Sequence, residues 1–275
     1  MARPSGIYWG LGFLMTLLLV AGLTACGGGG ETEPAPTSVG QATAAPASPT
    51  IAATLTVEER AEAEALLKAA ALRPEDVPEG FLLKDEGFTT NEEAGEVGDI
   101  LVKELYSIEG VALEDRFSSL GRILGYHAAY KPDAPSDSSS FSGTVSFGVT
   151  VDLYRDSASL HADLELYRQH PPDETALREL AQEVYDALGM ELKDLSVSWP
   201  AFAQVGDGSL AQEMKVTVRA PDLDTDFYVV LQRVWIQRDR LAGSLGLVSV
   251  NASPPGEELE DLARTLDERM KDALN

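Results

Sequence analysis

The clearest hydrophobic pattern of the chain lies between Thr144 and Tyr154, where apolar and polar residues alternate. A period of two places successive side chains on opposite faces of a strand, so this segment is predicted to be a half-buried strand. The apolar positions, which should share the core face, are Val145, Phe147, Val149, Val151 and Leu153. Arg122–Tyr130 has a similar character, and the intervening Pro132–Ser142, rich in Ser, Asp and Pro, favours a hairpin.

Three further segments predict a meander near the C-terminus. Glu213–Arg219 should place Met214, Val216 and Val218 inward and its polar residues outward. Phe227–Gln237 is apolar on both faces except at Gln232 and Arg233, which is typical of a central strand covered on both sides. Gly243–Val250 then returns beside it.

Helical spacing of apolar residues appears in four places. The first helix begins at a capping box, Thr56-Val57-Glu58-Glu59, runs to Leu72 and stops near Pro74. Between it and the hairpin, a short strand is predicted around Phe81–Lys84. The stretch Glu86–Asp115 is expected to be irregular, with a short helix at Asp99–Ile108. The other predicted helices are Ser157–Arg168, Glu174–Leu188 with Asp173 as N-cap and Gly189 after its end, and Glu257–Ala273.

Adjacent strands joined by short loops, with helices between the groups, predict an α+β fold. We expect one antiparallel sheet of about five to seven strands, with helices packed on it, in a single domain over residues 55–275. The order of elements resembles the small α/β/α-layered domains of secreted lipoproteins and of the photosystem extrinsic proteins. That resemblance is one of topology and carries no residue across.

The N-terminal 25 residues have the pattern of a secretory signal. Arg3 precedes an apolar stretch, Ile7–Ala25, that ends in small residues. Leu23-Thr24-Ala25-Cys26 resembles the lipobox of bacterial lipoproteins. The resemblance implies cleavage between Ala25 and Cys26, diacylation (palmitate or similar) of the Cys26 sulfur, and a cell-membrane protein that faces outside the cytoplasm. The alternative is that Ile7–Ala25, 19 residues long, stays as a transmembrane anchor.

Residues 26–54 form a predicted tether between the anchor and the domain. Gly27–Gly30 and the following Pro-, Ala-, Ser- and Thr-rich segment contain almost no large apolar side chains, so the tether is expected to be disordered. A flexible chain of about 28 residues has an average span of roughly 30 Å.

The net charge of the chain limits the classes of partner that it can bind. It has 21 Lys+Arg against 45 Asp+Glu, a net charge of −24, and loss of Arg3 with the leader would make this −25. Nucleic acid is therefore excluded as a partner, since binding to it depends on basic groups that neutralise phosphates. The single Cys, if lipidated, leaves none for a disulfide or a thiolate site. No cofactor is expected.

Candidate metal chemistry is confined to Asp222, Asp224 and Asp226. These residues copy the first ligands of a calcium loop, but Phe227 and Arg233 stand where the loop needs Gly and Glu. A turn between two strands is the preferred interpretation. The three histidines lack ligand spacing. His127 is expected to be exposed on the strand face away from the core, His161 to lie on the solvent side of a helix, and His170 to precede a proline pair.

Catalytic motifs are equally weak. Ser136–Ser140 has loop composition, Gly243-Ser244-Leu245-Gly246 is not a nucleophile elbow, and Gly206-Asp207-Gly208-Ser209 is a predicted turn. Aromatic residues are expected mostly in the core, although a few on a concave sheet could line a ligand pocket. They are Tyr126, Tyr130, Tyr154, Trp199, Tyr228 and Trp235. We expect a non-enzymatic binding or interaction module whose partner is a protein, a wall polymer or a small apolar ligand. The alternative is a secreted hydrolase that uses carboxylates which no motif identifies. A cleft with two converging buried acids of perturbed pKa would favour it.

Overall fold

Seven antiparallel strands form one open sheet in the order β1-β2-β3-β7-β6-β5-β4. The structure is a computed structural model that describes residues 55–94, 117–133, 143–169, 174–187, 189–219, 226–252 and 256–275. The α+β class, the antiparallel sheet and the packed helices are confirmed. The strands are β1 (Phe81–Thr89), β2 (Arg122–Pro132), β3 (Gly143–Tyr154), β4 (Glu191–Ser198), β5 (Gly208–Arg219), β6 (Asp226–Arg238) and β7 (Leu241–Val250). The helices are α1 (Val57–Ala70), α2 (Ser157–Gln169), α3 (Glu174–Ala187) and α4 (Gly256–Ala273).

The predicted hairpin and the predicted meander are both present. β2 pairs with β3, and β5, β6 and β7 pair in succession. β3 also pairs with β7, from Gly143 opposite Val250 to Leu153 opposite Leu241, and this contact joins the two groups into one sheet. β6 is a central strand, as its two apolar faces predicted.

Helices α1 and α4 cover one side of the sheet, which we call the first face. α1 begins at the predicted capping box, in which Thr56 accepts from the Glu59 amide and the Glu59 carboxylate accepts from the Thr56 amide. The apolar stripe of α4 is buried at Leu259, Leu262, Ala263, Leu266 and Met270. These side chains share a core with the inward residues of the central strands, including Val149, Val151, Ile236, Leu241 and Leu245.

Helices α2 and α3 lie on the opposite side, the second face. Leu160 of α2 packs with Tyr154 near one end of the strands, and Leu177 and Tyr185 of α3 pack on Val216, Val218 and Val229 near the other. Met214, Val216 and Val218 therefore face a core, as predicted, and it is the core of the second face.

Two expectations for individual strands were wrong. β1 does not end at Lys84, because its backbone continues to pair with β2 as far as Thr89 opposite Gly125. Val145 does not share the face of Phe147. A register shift between Thr144 and Ser146 in the pairing with β7 turns Val145 toward the second-face core. The short helix expected at Asp99–Ile108 lies outside the described residues.

Candidate functional site

The middle of the second face, between α2 and α3, carries polar and aromatic residues instead of a continuous apolar core. Cross-strand pairing places Arg233 of β6 between Gln212 of β5 and Gly246 of β7. Two residues further along β6, Trp235 lies between Leu210 of β5 and Ser244 of β7. We call this region the central patch.

Aromatic and cationic groups meet at one side of the central patch. Trp199, in the loop that follows β4, stacks on Trp235 with ring centroids 6.3 Å apart and an interplanar angle of 26°. The Arg233 guanidinium carbon lies 5.4 Å from the centroid of the Trp235 ring. Trp199 is 37% exposed, and Arg233 and Trp235 are partly exposed. A guanidinium beside an indole offers a charged fork and an apolar wall to one ligand.

Small residues form the floor next to this cluster. Gly148 lies opposite Gly246, and Thr150 lies opposite Ser244, on the adjacent strands β3 and β7. Their short side chains project less far from the sheet than those of Arg233 and Trp235 on β6. Ser146 continues the same face of β3, and its Oγ is buried with no hydrogen-bond partner.

His127 lies at the other side of the central patch and is buried, which corrects the expectation that it is exposed. It does point away from Leu124, Tyr126 and Ala128, but the second face is itself covered. Its Nδ1 lies 3.3 Å from the Thr89 hydroxyl, and its Nε2 lies 3.4 Å from Asp85 Oδ2. The imidazole lies over Gly87, since a Cβ there would approach His127 Cε1 to 3.0 Å.

The order hydroxyl, imidazole and carboxylate is the order found in nucleophilic sites. Here Asp85 and Thr89 both belong to the edge strand β1, whereas His127 belongs to β2. The Asp85 side chain is 59% exposed, so its charge is largely solvated. The arrangement holds β1 against β2 through side-chain contacts at two points.

Arg122 makes a second set of contacts beyond the end of β1. Its Nη1 donates to Asn91 Oδ1 at 2.8 Å, its Nη2 donates to the Thr89 carbonyl at 3.3 Å, and its Nε donates to Asp152 Oδ1 at 3.0 Å. The Arg122 side chain is only 4% exposed. A buried guanidinium with these partners is a structural group that ties three segments together.

The carboxyl groups with shifted pKa values serve helix caps and ion pairs. A hydrogen bond from the Thr56 backbone lowers the pKa of Glu59, and the equivalent bond from Thr90 lowers the pKa of Glu93. A hydrogen bond from Tyr126 lowers the pKa of Glu86, with a further bond from Lys68. All these shifts favour the ionised form, whereas a general acid near neutral pH needs a raised pKa.

Three tyrosines of the fold show the opposite shift, and burial is the largest cause for each, including Tyr126. Burial raises the pKa of Tyr130 to about 12, and burial raises the pKa of Tyr185 to about 12. Tyr130 donates its hydroxyl hydrogen to the Leu72 carbonyl at 3.0 Å. Tyr130, like Tyr126 and Tyr154, is a core residue as expected.

The remaining sequence candidates do not converge on the central patch. Asp226 begins β6 and pairs with Arg219 at 2.6 Å, while Asp222 and Asp224 lie outside the described residues. Within the described ranges, no three His, Cys, Asp or Glu side chains come together in a way that could hold a metal ion. His161 is exposed, as predicted. Ala25, Cys26, His170 and Ser136–Ser140 also lie outside the described residues.

Sequence reasoning missed Arg233 as a site residue, although the sequence contains a signal for it. Burial of a charged group in a central strand is costly unless the group is paired or hydrogen-bonded. Arg233 interrupts the otherwise apolar strand Phe227–Gln237. Its neighbour Trp199 could not be found in this way, because the contact depends on the path of the loop after β4.

No protein-family model matches the chain, and no curated protein matches it. Among solved structures, it is similar to the extracellular domain of PknH from Mycobacterium tuberculosis, with a TM-score of 0.41 and 8% sequence identity. The alignment covers 76% of this chain and 96% of that chain. The likeness is one of distant overall shape and identifies no family. Among the helices of the described residues, none is both long and apolar enough to cross a bilayer.

Proposed function

We propose that this chain is a lipid-anchored extracytoplasmic binding module, attached through Cys26 and presenting the central patch, between α2 and α3, to a ligand. The observation that carries the proposal is the position of the only Cys in the chain, directly after an apolar leader and Leu23-Thr24-Ala25. A signal segment followed by small residues is the pattern of a processed secretory leader.

The domain architecture supports the binding role. The first face is packed with α1 and α4, whereas the centre of the second face has partly exposed Trp235, Arg233 and Ser244. Ligand sites combine apolar and aromatic walls with a few polar groups of fixed position. The central patch has both components on rigid central strands.

The anchor is tested by Cys26→Ser in the full chain, with Ser38→Ala in the tether as matched control. Cells are labelled with palmitate, and the protein is followed by membrane fractionation and by mass. The original chain and Ser38→Ala should be labelled, cleaved before Cys26 and membrane-bound. Cys26→Ser should be unlabelled, and either released from the membrane or left uncleaved.

Two results would count against the anchor. A Cys26→Ser protein that is still processed and still membrane-bound would show that the lipid is not the attachment. An unlabelled original chain that retains Ile7–Ala25 would favour the transmembrane alternative.

A further inference from the structure

Arg233 is a cation on a central strand of a strongly acidic protein, and no carboxylate of the described residues forms an ion pair with it. Its guanidinium lies over the Trp235 ring. Several other arginines of the described residues have close acidic partners, such as Arg122 with Asp152 at 2.8 Å and Arg269 with Asp76 at 2.8 Å. With 45 acidic residues in the chain, an arginine on a central strand without one requires an explanation.

The neighbours of Arg233 on its own face are uncharged. They are Gln212 on β5, Gly246 on β7 and Gly148 on β3, followed by Ser244 and Thr150. Among these described neighbours, the Arg233 guanidinium is the one charged group. A planar fork of N–H donors matches a carboxylate, and one positive charge balances a monoanion better than a dianion.

The ligand must also satisfy the walls of the patch. Trp199, 37% exposed, and Trp235 form a stacked pair beside the guanidinium, and their faces favour a ring over a flexible chain. Ser146 lies in the next cross-strand row, opposite Val248, and its Oγ is buried, so it is not part of the accessible surface of the patch.

From these contacts we infer that the central patch binds a small monocarboxylate that carries a ring. The carboxylate pairs with Arg233, and the ring lies against Trp199 and Trp235. This inference rests on the proposed binding function and adds the ligand class to it.

The probes are phenylacetate and glucuronate, which combine a carboxylate with an aromatic or a sugar ring. Phenylacetamide and glucose are their neutral counterparts, and inorganic phosphate is the dianion control. Binding to the full-length chain in detergent is measured by calorimetry at 150 mM NaCl. One of the two carboxylates should bind at least tenfold more tightly than its neutral counterpart and than phosphate, since a charged hydrogen-bonded pair is lost in each control.

Variants assign the site. Arg233→Gln should weaken binding of the carboxylate at least tenfold, and Arg233→Lys should weaken it less because it keeps the charge but loses the fork. Trp199→Ala should weaken binding of the ring with little effect on folding, because Trp199 is exposed. Arg60→Gln removes an equal charge from the exposed surface of α1 and should leave binding unchanged.

Three results would overturn the inference: no binding of either carboxylate at millimolar concentration, equal binding of the neutral counterparts, or unchanged binding by both Arg233→Gln and Trp199→Ala. If Arg233→Gln does not fold, Arg233→Lys and Trp199→Ala decide the question. Membrane attachment is measured in the same variants and should persist. Failure of the inferred ligand class would change ligand binding alone, and failure of the proposed anchor would change membrane attachment. The two failures are therefore distinguishable.

Discussion

Arg122 and Asp152 meet across β2 and β3 in space that exists only because residue 125 is glycine. Arg122 Nη2 lies 2.8 Å from Asp152 Oδ1, and a Cβ built on Gly125 would overlap both side chains. Gly125→Ala should therefore displace the pair and destabilise the fold by about 1–3 kcal/mol, the usual cost of overpacking.

Chemical denaturation measures this effect. Gly208→Ala is the matched control, because a Cβ there would meet only Gln237 Oε1 at an ordinary 3.7 Å. The control should leave the free energy of unfolding unchanged or slightly raised. Equal stability of the two variants would show that the Arg122–Asp152 pair moves aside at no cost.

Asp76 should make part of the stability depend on acid pH. Burial pushes its pKa upward, but hydrogen bonds from the Arg269 side chain and the Arg73 backbone, with the charges of both arginines, outweigh burial and lower the pKa below its ordinary 3.8. A carboxyl group whose pKa is lower in the folded state stabilises that state above the ordinary pKa. This contribution disappears as the pH falls through the folded value.

Asp76→Asn tests this linkage. At pH 7 the variant should be less stable by about 2–3 kcal/mol, because Arg269 loses a largely buried partner at 2.8 and 3.0 Å. The difference from the original chain should shrink as the pH falls from about 4, where the carboxyl of the unfolded chain becomes protonated, through the lower pKa of the folded state. A difference that stays constant from pH 7 to pH 2.5 would contradict the assigned shift.

Gly243 determines how closely α4 approaches the sheet. A Cβ at this position of β7 would lie 2.9 Å from Leu266 Cδ2 and 3.1 Å from Met270 Sδ. Gly243→Ala should lower the free energy of unfolding by about 1–3 kcal/mol. Gly256→Ala, at the start of α4 where a Cβ meets nothing within 4 Å, should raise it by about 0.5–1 kcal/mol. Thermal melting of both variants checks the contrast.

Calcium should not stabilise this acidic chain specifically. A calcium site needs six to eight converging oxygen ligands, and Asp226 is already paired with Arg219. Millimolar calcium should shift the melting temperature no more than magnesium or monovalent salt of equal ionic strength. A calcium-specific rise of several degrees that Asp224→Ala removes would reveal a site.

The local sequence pattern was sufficient to predict an element when that element buries one continuous apolar face. The alternation around Phe147 and Val151 predicted β3, and the stripe Leu259, Leu262, Leu266 predicted α4, because each buries one continuous apolar face. β4 was not predicted, since the sequence Glu-Leu-Lys-Asp-Leu-Ser-Val-Ser breaks alternation at a register shift after Leu192. An edge strand of this kind is defined by its partner more than by its own residues.

Burial of His127 and displacement of Val145 could not be predicted for related reasons. Both depend on the second face being covered by other elements, and a strand pattern alone does not reveal that. The Trp199–Trp235 contact has the same origin, since it joins a loop to a strand. What the sequence did contain was Arg233, as an interruption in an apolar strand.

In the proposed function, the attachment point and the ligand patch lie on opposite faces of the sheet. Thr56 leads directly into α1, so whatever precedes residue 55 joins the domain on the first-face layer, and the seven-stranded sheet stands between that point and Arg233. A pulling force applied through the N-terminal segment would therefore act first on α1, which packs against α4. If the proposed anchor holds, tension on it reaches the strand that carries Arg233 only through that helical layer.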